Sequence, residues 1–397
     1  MRKVLSFSLF LMLGLAASQL LPGLMGDTYP SFKAASDTLL YVCLAFIMIN
    51  VGREFEIDKT RWRSYAGDYF IAMATAALPW LLIVLYYVFV LLPPAFWSDP
   101  EAWKENLLLS RFAAPTSAGI LFTMLAAMQL QQSWIYRKIQ VLAIFDDLDT
   151  ILLMIPLQML MIGLKWQMGA IVAIVTLLLA VGWRRQATWN VRQDWKAILA
   201  LAAVVCALTQ ALYLLTARWY GPENSIHIEV LLPAFVIGMV MKHRTVDTPA
   251  ERRVATGISF LFMLLVGVSM PLVTGGGEAE AASAGSVTAS QPMMAWSTVA
   301  LHVAAVTVLS NVGKLVPLLF YRDRLLSERL ALSVGMFTRG EVGAGVIFIA
   351  LGYNLGGPAL VISVLTLAVN LILTGGFVVW VRRLALRSYA PQNPAEG

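Results

Sequence analysis

Three aspartates stand close together in a stretch of the chain that is otherwise mostly apolar. Residues 140–157 read "QVLAIFDDLDTILLMIPL" and contain Asp146, Asp147 and Asp149. Neighbouring carboxylates titrate as a coupled pair, and a cation competes with protons for them because each neutralises the charge that the other needs. This arrangement indicates a site for a cation or protons. On a helix, Asp149 shares the face of Asp146. It is either a third titrating group or a hydrogen-bonding partner of another helix.

A lysine stands in a second apolar run, within the stretch "NVGKLVP". With a helical rise of about 1.5 Å per residue, Asp146 and Asp147 lie roughly 12 Å, and Lys314 roughly 10 Å, from the nearer charged end of their runs. A carboxylate pair that faces an amine at the same depth offsets the cost of burying either group alone. Two alternatives stay open: Lys314 could snorkel from a helix end, or the two aspartates could be interfacial.

Two other apolar runs contain helix-breaking residues near their centres. The run "LLLSRFAAPTSAGILFTML" contains Pro115, followed by Thr116 and Ser117. The run "LSVGMFTRGEVGAGVIFIALG" is weakened by four glycines, Gly335, Gly340, Gly343 and Gly345, with Arg339 and Glu341 in mid-span. Interrupted helices at corresponding places in two halves are typical of the midplane binding site of a transporter with inverted repeats. The alternative is a pair of kinked helices that pack through small residues.

The composition predicts that lipid surrounds most of these elements. Hydrophobic residues make up 59% of the 397 residues, charged residues only 13%, and the mean hydropathy is +0.74. Soluble domains carry about a quarter charged residues. The two cysteines lie in apolar runs and the three histidines show no metal-ligand spacing, so we expect neither a disulfide nor a resident cofactor.

Apolar runs and basic residues together predict an all-α membrane protein with about twelve transmembrane helices and both termini in the cytoplasm. If the runs alternate from a cytoplasmic N-terminus, 22 of the 29 Lys and Arg residues fall on the cytoplasmic side and five, including Arg111, on the outer side. The basic net charge is then an inner-leaflet signature and does not indicate nucleic-acid binding. The runs lie at 4–21, 36–52, 66–92, 106–130, 139–162, 168–183, 196–216, 228–241, 255–274, 294–320, 330–353 and 358–381.

The same pattern predicts a division into transport core and scaffold. Helices 3–5 and 10–12 carry the buried charges and run in opposite directions, as an inverted repeat requires. We expect a retained first helix and a flexible outer loop at 274–292, which is rich in Gly, Ala and Ser. The predicted units are 1–65 (scaffold and dimer helices 1–2), 66–165 (core helices 3–5), 166–292 (linker and scaffold helices 6–9), 293–383 (core helices 10–12) and 384–397 (short cytoplasmic tail).

The motifs resemble those of the monovalent cation/proton antiporter superfamily, in particular its bacterial sodium/proton branch with a double aspartate. "AIFDDLDTILLMIPL" resembles the double-aspartate helix, "NVGKLVP" the lysine-bearing tenth helix and "AAPTSAGILFTML" the broken fourth helix. "TRGEVGAGVIFIALG" and "VGREFEID" at 51–58 resemble motifs of potassium-transporting relatives. The resemblance spans most of the chain, and the order of the motifs agrees as well.

The resemblance implies roles for individual residues. Asp147 matches the cation-binding aspartate, Asp146 the neighbour that pairs with a lysine, and Lys314 that lysine. Thr116 and Ser117 match the helix-4 break, where some relatives have Thr-Asp, so one anionic ligand is missing here. We therefore predict a cation and proton site formed by Asp146, Asp147, Lys314, Thr116 and Ser117. The supporting residues are Asp149, Asn311, Arg339, Glu341 and Pro115, and Asp149 stands where close relatives have a small residue.

The predicted function is secondary antiport of a monovalent cation, with sodium first, against protons. The resemblance implies electrogenic exchange by a homodimer in the bacterial inner membrane, and the alternatives are potassium/proton antiport and sodium-coupled solute symport. Symporters of similar fold generally lack a membrane lysine with an aspartate pair. A cation channel is disfavoured because helices 6–9 offer no polar path. An intramembrane aspartyl protease would need a Gly-x-Gly-Asp stretch, which the sequence does not contain. We therefore expect a transporter and not an enzyme.

Overall fold

The computed structural model describes residues 2–54, 62–116, 133–162, 167–192, 194–220, 230–242, 248–269 and 286–389. These residues form thirteen α-helices and no β-strand; Trp189 and Met241 make an isolated bridge. The helices are α1 (Arg2–Met25), α2 (Tyr29–Glu54), α3 (Trp62–Tyr86), α4 (Pro100–Ser110), α5 (Trp134–Ile162), α6 (Gln167–Arg184), α7 (Trp195–Tyr220), α8 (Leu231–Val240), α9 (Pro249–Val268), α10 (Trp296–Gly313), α11 (Leu326–Gly335), α12 (Glu341–Gly352) and α13 (Gly357–Tyr389).

Each of the twelve predicted runs contains a helix, and the eleventh contains two. By length and hydropathy, five segments of the described chain qualify as membrane spans. Three shorter apolar helices lie in α5, α6 and α12. Several of the predicted runs thus appear as helices that are short or interrupted. The five spans are Leu9–Arg53, which includes α1 and α2, Ala66–Leu91, Trp195–Trp219, Trp296–Leu319 and Gly357–Arg387.

Two pairs of helices outside the charged core cross at glycines. A Cβ atom on Gly14 of α1 would lie 2.1 Å from the Leu264 carbonyl oxygen of α9, and one on Gly267 would meet α1 at 2.3 Å. In the same way, Gly52 of α2 and Gly238 of α8 each leave no room for a Cβ atom against the other helix. Small residues let backbones approach closely where lipid supplies no hydrophobic drive for helix association.

These two crossings are related to each other as an inverted repeat requires. Helix α1 crosses α9, and α2 crosses α8. If each helix of the first half is matched with the helix seven positions later, α1 corresponds to α8 and α2 corresponds to α9. The two crossings then correspond to each other. The interrupted runs, the fourth and the eleventh, obey the same shift. Because seven is odd and successive spans alternate in direction, related helices run in opposite directions. The packing therefore agrees with the predicted inverted repeat.

The fourth and eleventh runs are both broken, and their breaks meet. Helix α4 ends at Ser110, a 3-10 turn covers Arg111–Ala113, and the chain is not helical from Ala114 to Thr116. The eleventh run is not helical at 336–340, between α11 and α12. The Thr116 hydroxyl donates to the Met336 carbonyl across 3.2 Å. This contact agrees with the predicted crossing of two broken helices; the second half of the fourth run, 117–130, lies outside the described residues.

The end of the predicted outer loop is attached to α4. The buried Glu105 carboxylate accepts hydrogen bonds from the Val287 and Thr288 amides, at 2.9 and 2.7 Å, and from the Ser286 hydroxyl at 3.1 Å. A buried carboxylate requires such donors, and Thr288 is itself buried. Composition alone does not indicate this attachment. The earlier part of the loop, 274–285, lies outside the described residues.

Candidate functional site

The continuous helix α5 carries all three aspartates through the middle of the protein. Asp146 is completely buried and Asp149 is 3% exposed. The backbone of Asp147 lies in the same helical turn, and its side chain is outside the described set. The alternative that Asp146 is interfacial is wrong, because other helices enclose it.

Lys314 lies at the end of α10 and reaches the helix-4 break. Its ammonium donates to Asp146 Oδ2 at 2.8 Å, to Thr116 Oγ1 at 3.2 Å and to the Ala114 carbonyl. These three acceptors match the three donors of an ammonium group. Lys314 is fully buried, so the snorkelling alternative is wrong. The ion pair expected from similar depths is present, although α10 ends at Gly313 and does not continue to residue 320.

One oxygen of this ion pair has no partner in the part of the chain that the structure describes. Asp146 Oδ1 is buried and accepts no hydrogen bond from the described residues. The Thr150 hydroxyl, one turn along α5, donates to the Asp146 backbone carbonyl at 2.9 Å and not to this carboxylate. A buried carboxylate oxygen without a donor is costly. It is therefore a natural acceptor for a proton or a small cation.

Asp149 forms a second buried ion pair, with Arg111. The guanidinium Nη2 lies 2.8 Å from Asp149 Oδ2, and Arg111 is completely buried. The guanidinium also lies over the Trp80 ring, 4.8 Å from its centroid. The outer-side placement of Arg111 is thus wrong: the positive-inside count treated it as a loop residue, although it stands inside the fourth predicted run. Of the two options for Asp149, the structure shows the bond to a neighbouring helix.

Arg339 and Asn311 support the site from the second half of the chain. Arg339 is buried and donates to the carbonyls of Met336 and Ser310, each at 3.1 Å, so it satisfies a carbonyl that the helix-11 break leaves free. The Asn311 amide donates to Asn370 Oδ1 at 2.9 Å. The sequence analysis missed Asn370 on α13, although a buried asparagine in an apolar run is itself a signal.

The structure describes only some of the remaining predicted site residues. Pro115 lies in the non-helical stretch of the fourth run, between two residues that contact Lys314. Glu341 begins α12, and its side chain is outside the described set. Ser117 lies outside the described residues. Within the described chain, no group of three or more His, Cys, Asp or Glu residues could hold a metal ion.

A third ion pair lies at the end of α3 and α5 that the basic residues predict to be cytoplasmic. Lys138 donates to both Asp68 oxygens, at 2.9 and 2.8 Å, and the Tyr321 hydroxyl donates to Asp68 Oδ1 at 2.7 Å. Burial and the neighbouring Asp68 raise the pKa of Tyr321, so the phenol stays protonated. This group joins α3, α5 and the segment after α10.

Comparison with known proteins agrees with the fold. The family model described as "Sodium/hydrogen exchanger, transmembrane" matches residues 2–386. Among solved structures, the chain is similar to the sodium proton antiporter MjNhaP1 from Methanocaldococcus jannaschii, with 15% identity and a TM-score of 0.55. That match covers 97% of this chain and 92% of the other. No curated protein matches the sequence. The match to the family model over nearly the whole length shows that this chain belongs to the transmembrane sodium/hydrogen exchanger family.

Proposed function

We propose that the protein exchanges a monovalent cation, with sodium first, for protons, and that Asp146 and Asp147 carry the exchange. The observation that carries this proposal is the buried Lys314–Asp146 pair at the contact between the breaks of the fourth and eleventh runs. One oxygen of Asp146 has no donor among the described residues. Membership of the sodium/hydrogen exchanger family and the similarity to a sodium proton antiporter support it.

Exchange would work by competition for the two carboxylates. In the proton-loaded form, a proton neutralises Asp147 and another opens the Lys314–Asp146 pair, so the negative charge that a cation needs is gone. When both aspartates are ionised, Asp146 pairs with Lys314 and Asp147 binds the cation. Adjacent carboxylates share their titration, so the two proton steps belong to the pair.

Alternating access would move the charged core against the scaffold. The core would comprise α3–α5 and α10–α13, and the scaffold α1, α2 and α7–α9. Within the scaffold, α1 crosses α9 and α2 crosses α8 at the glycines described above. We place the scaffold at a homodimer interface and the protein in the bacterial inner membrane with both termini in the cytoplasm. A cycle that moves one net charge would couple to voltage, by about 2.3 kcal/mol per 100 mV.

One observation favours potassium as the alternative cation. The helix-4 break reads Thr116-Ser117, which has one fewer carboxylate than a Thr-Asp break. A site with fewer anionic oxygens holds a strongly hydrated small cation less well. The motif around Arg339 also resembles that of potassium-transporting relatives. The Lys314–Asp146 pair argues against a sodium-coupled solute symporter.

The test is a proton-flux assay with purified protein in liposomes. A pH-sensitive dye in the lumen reports proton movement when sodium, lithium or potassium is added outside. We expect exchange with sodium in the wild type and none in Asp147→Asn. Asp323→Asn, which changes an exposed carboxylate, is the matched control and should exchange like the wild type. Undiminished exchange in a folded Asp147→Asn protein would refute the assignment of the site.

A further inference from the structure

The Arg111–Asp149 pair lies one helical turn from Asp146. Its basic residue is an arginine, whereas the pair at the exchange site contains a lysine. Both side chains come from the core, Arg111 from the turn after α4 and Asp149 from α5, and both are buried. The indole of Trp80, over which the guanidinium lies, donates at 2.8 Å to the Leu107 carbonyl of α4. The guanidinium is therefore held by a carboxylate at one end and by an aromatic face.

An arginine in this place limits what Asp149 can do. A guanidinium does not lose its proton in a protein, so a proton on Asp149 would leave a buried positive charge without its counter-ion. Two of the guanidinium nitrogens, Nε and Nη1, already have no partner among the described residues. A cation on Asp149 would face the same guanidinium. Binding of a proton and binding of a cation are therefore both disfavoured at Asp149.

The pair also fixes the backbone that holds Lys314. The Ala114 amide donates to the Arg111 carbonyl at 3.0 Å, which closes the 3-10 turn. The next groups along the chain, the Ala114 carbonyl and the Thr116 hydroxyl, accept from the Lys314 ammonium. Asp149 therefore acts on Lys314 through Arg111 and one turn of backbone.

We infer that Asp149 is a positioning residue: it holds Arg111 as a fixed positive charge and so sets the helix-4 break against Lys314, and it carries neither a proton nor a cation during exchange. This inference rests on the proposed function. It distinguishes Asp149 from its two neighbours, although all three aspartates lie within four residues of one helix.

The test measures the number of protons exchanged per cation, as the reversal potential of flux in voltage-clamped liposomes. Asp149→Asn leaves Arg111 unpaired and within electrostatic range of Asp146. We expect this variant to exchange at least about tenfold more slowly, because the misplaced charge competes with Lys314 for Asp146. The double variant Arg111→Gln/Asp149→Asn removes both charges and should recover most of that loss. Its proton-to-cation ratio should equal the wild-type ratio.

Two results would overturn the inference. One is a lower proton-to-cation ratio in Asp149→Asn or in the double variant, which would make Asp149 a carrier. The other is a double variant that is as slow as Asp149→Asn although it is folded and monodisperse. If Asp149→Asn does not fold, the double variant and the swap Arg111→Asp/Asp149→Arg decide, since both keep the net charge. Failure of these two to fold would also count against a replaceable positioning pair.

The outcome is separable from that of the proposed function. If the wild type exchanges no cation for protons, or Asp147→Asn exchanges normally, the proposed function fails whatever the Asp149 variants do. If the wild type exchanges, Asp147→Asn does not, and the ratio drops on removal of Asp149, only the inference about Asp149 fails.

Discussion

The two buried ion pairs of the core have the same length but different chemistry. Lys314–Asp146 and Arg111–Asp149 each span 2.8 Å, and both use a carboxylate of α5. In the first pair all three ammonium donors are used and one carboxylate oxygen has no partner among the described residues; in the second, two guanidinium nitrogens have none there. A lysine can lose its proton inside a protein and an arginine cannot. The first pair can therefore be opened and closed by protons, and the second stays charged.

The largest effect is expected from removing the counter-ion of the arginine. Asp149→Asn leaves a buried guanidinium that cannot become neutral, so the free energy of unfolding should fall by about 3–5 kcal/mol. Because Arg111 stays charged throughout, this loss should be nearly the same at roughly pH 6 and pH 9. Thermal unfolding in detergent at several pH values measures it. A loss that disappears at high pH would show that the two pairs do not differ as described.

The matching change in the lysine pair should depend on pH. Asp146→Asn also leaves a buried cation, but a buried lysine without a counter-ion favours its neutral form. The unfolded chain then binds more protons than the folded one, so stability rises with pH. We expect a loss of about 3–5 kcal/mol at low pH that shrinks as the pH rises. The same unfolding series measures it, and a loss that grows with pH would contradict this account.

The smallest effect is expected at the predicted cytoplasmic end of α3 and α5. Lys138 is about one fifth exposed (21%), and its partner Asp68 also accepts from Tyr321. Partly exposed pairs contribute about 1 kcal/mol or less, and salt screens them. Lys138→Gln should therefore change stability by about that amount, and less so in high salt. The Lys314→Gln variant in the same assay should lose more stability. Equal losses would mean that burial does not determine how much each ion pair contributes to stability.

The sequence predicted those contacts of the site whose two residues could both be recognised from their positions in apolar runs. Equal depths in two apolar runs brought Asp146 and Lys314 together, and Pro115 and the glycines of the eleventh run marked the breaks. Arg111 was missed because a charge near the end of an apolar run was counted with the adjoining loop. Its partner stands 38 positions away, and periodicity does not reveal such a contact.

Other contacts were out of reach for the same reason. Glu105 and Thr288 are 183 positions apart, and Asn311 and Asn370 are 59 apart. Neither pair carries a motif; the first joins a loop to α4 and the second joins two core helices, so each depends on the tertiary fold. Fold class and repeat, by contrast, follow from hydropathy and charge alternation, which are properties of short segments.

The most direct test of the central claim is the dependence of the apparent KM for sodium on pH in proteoliposomes. If sodium and protons compete for Asp146 and Asp147, the KM should rise by about tenfold or more for each unit of acidification below the pH at which the pair titrates. The maximal rate at saturating sodium should stay the same. A KM that does not change with pH, together with a maximal rate that falls, would contradict competition at one shared site.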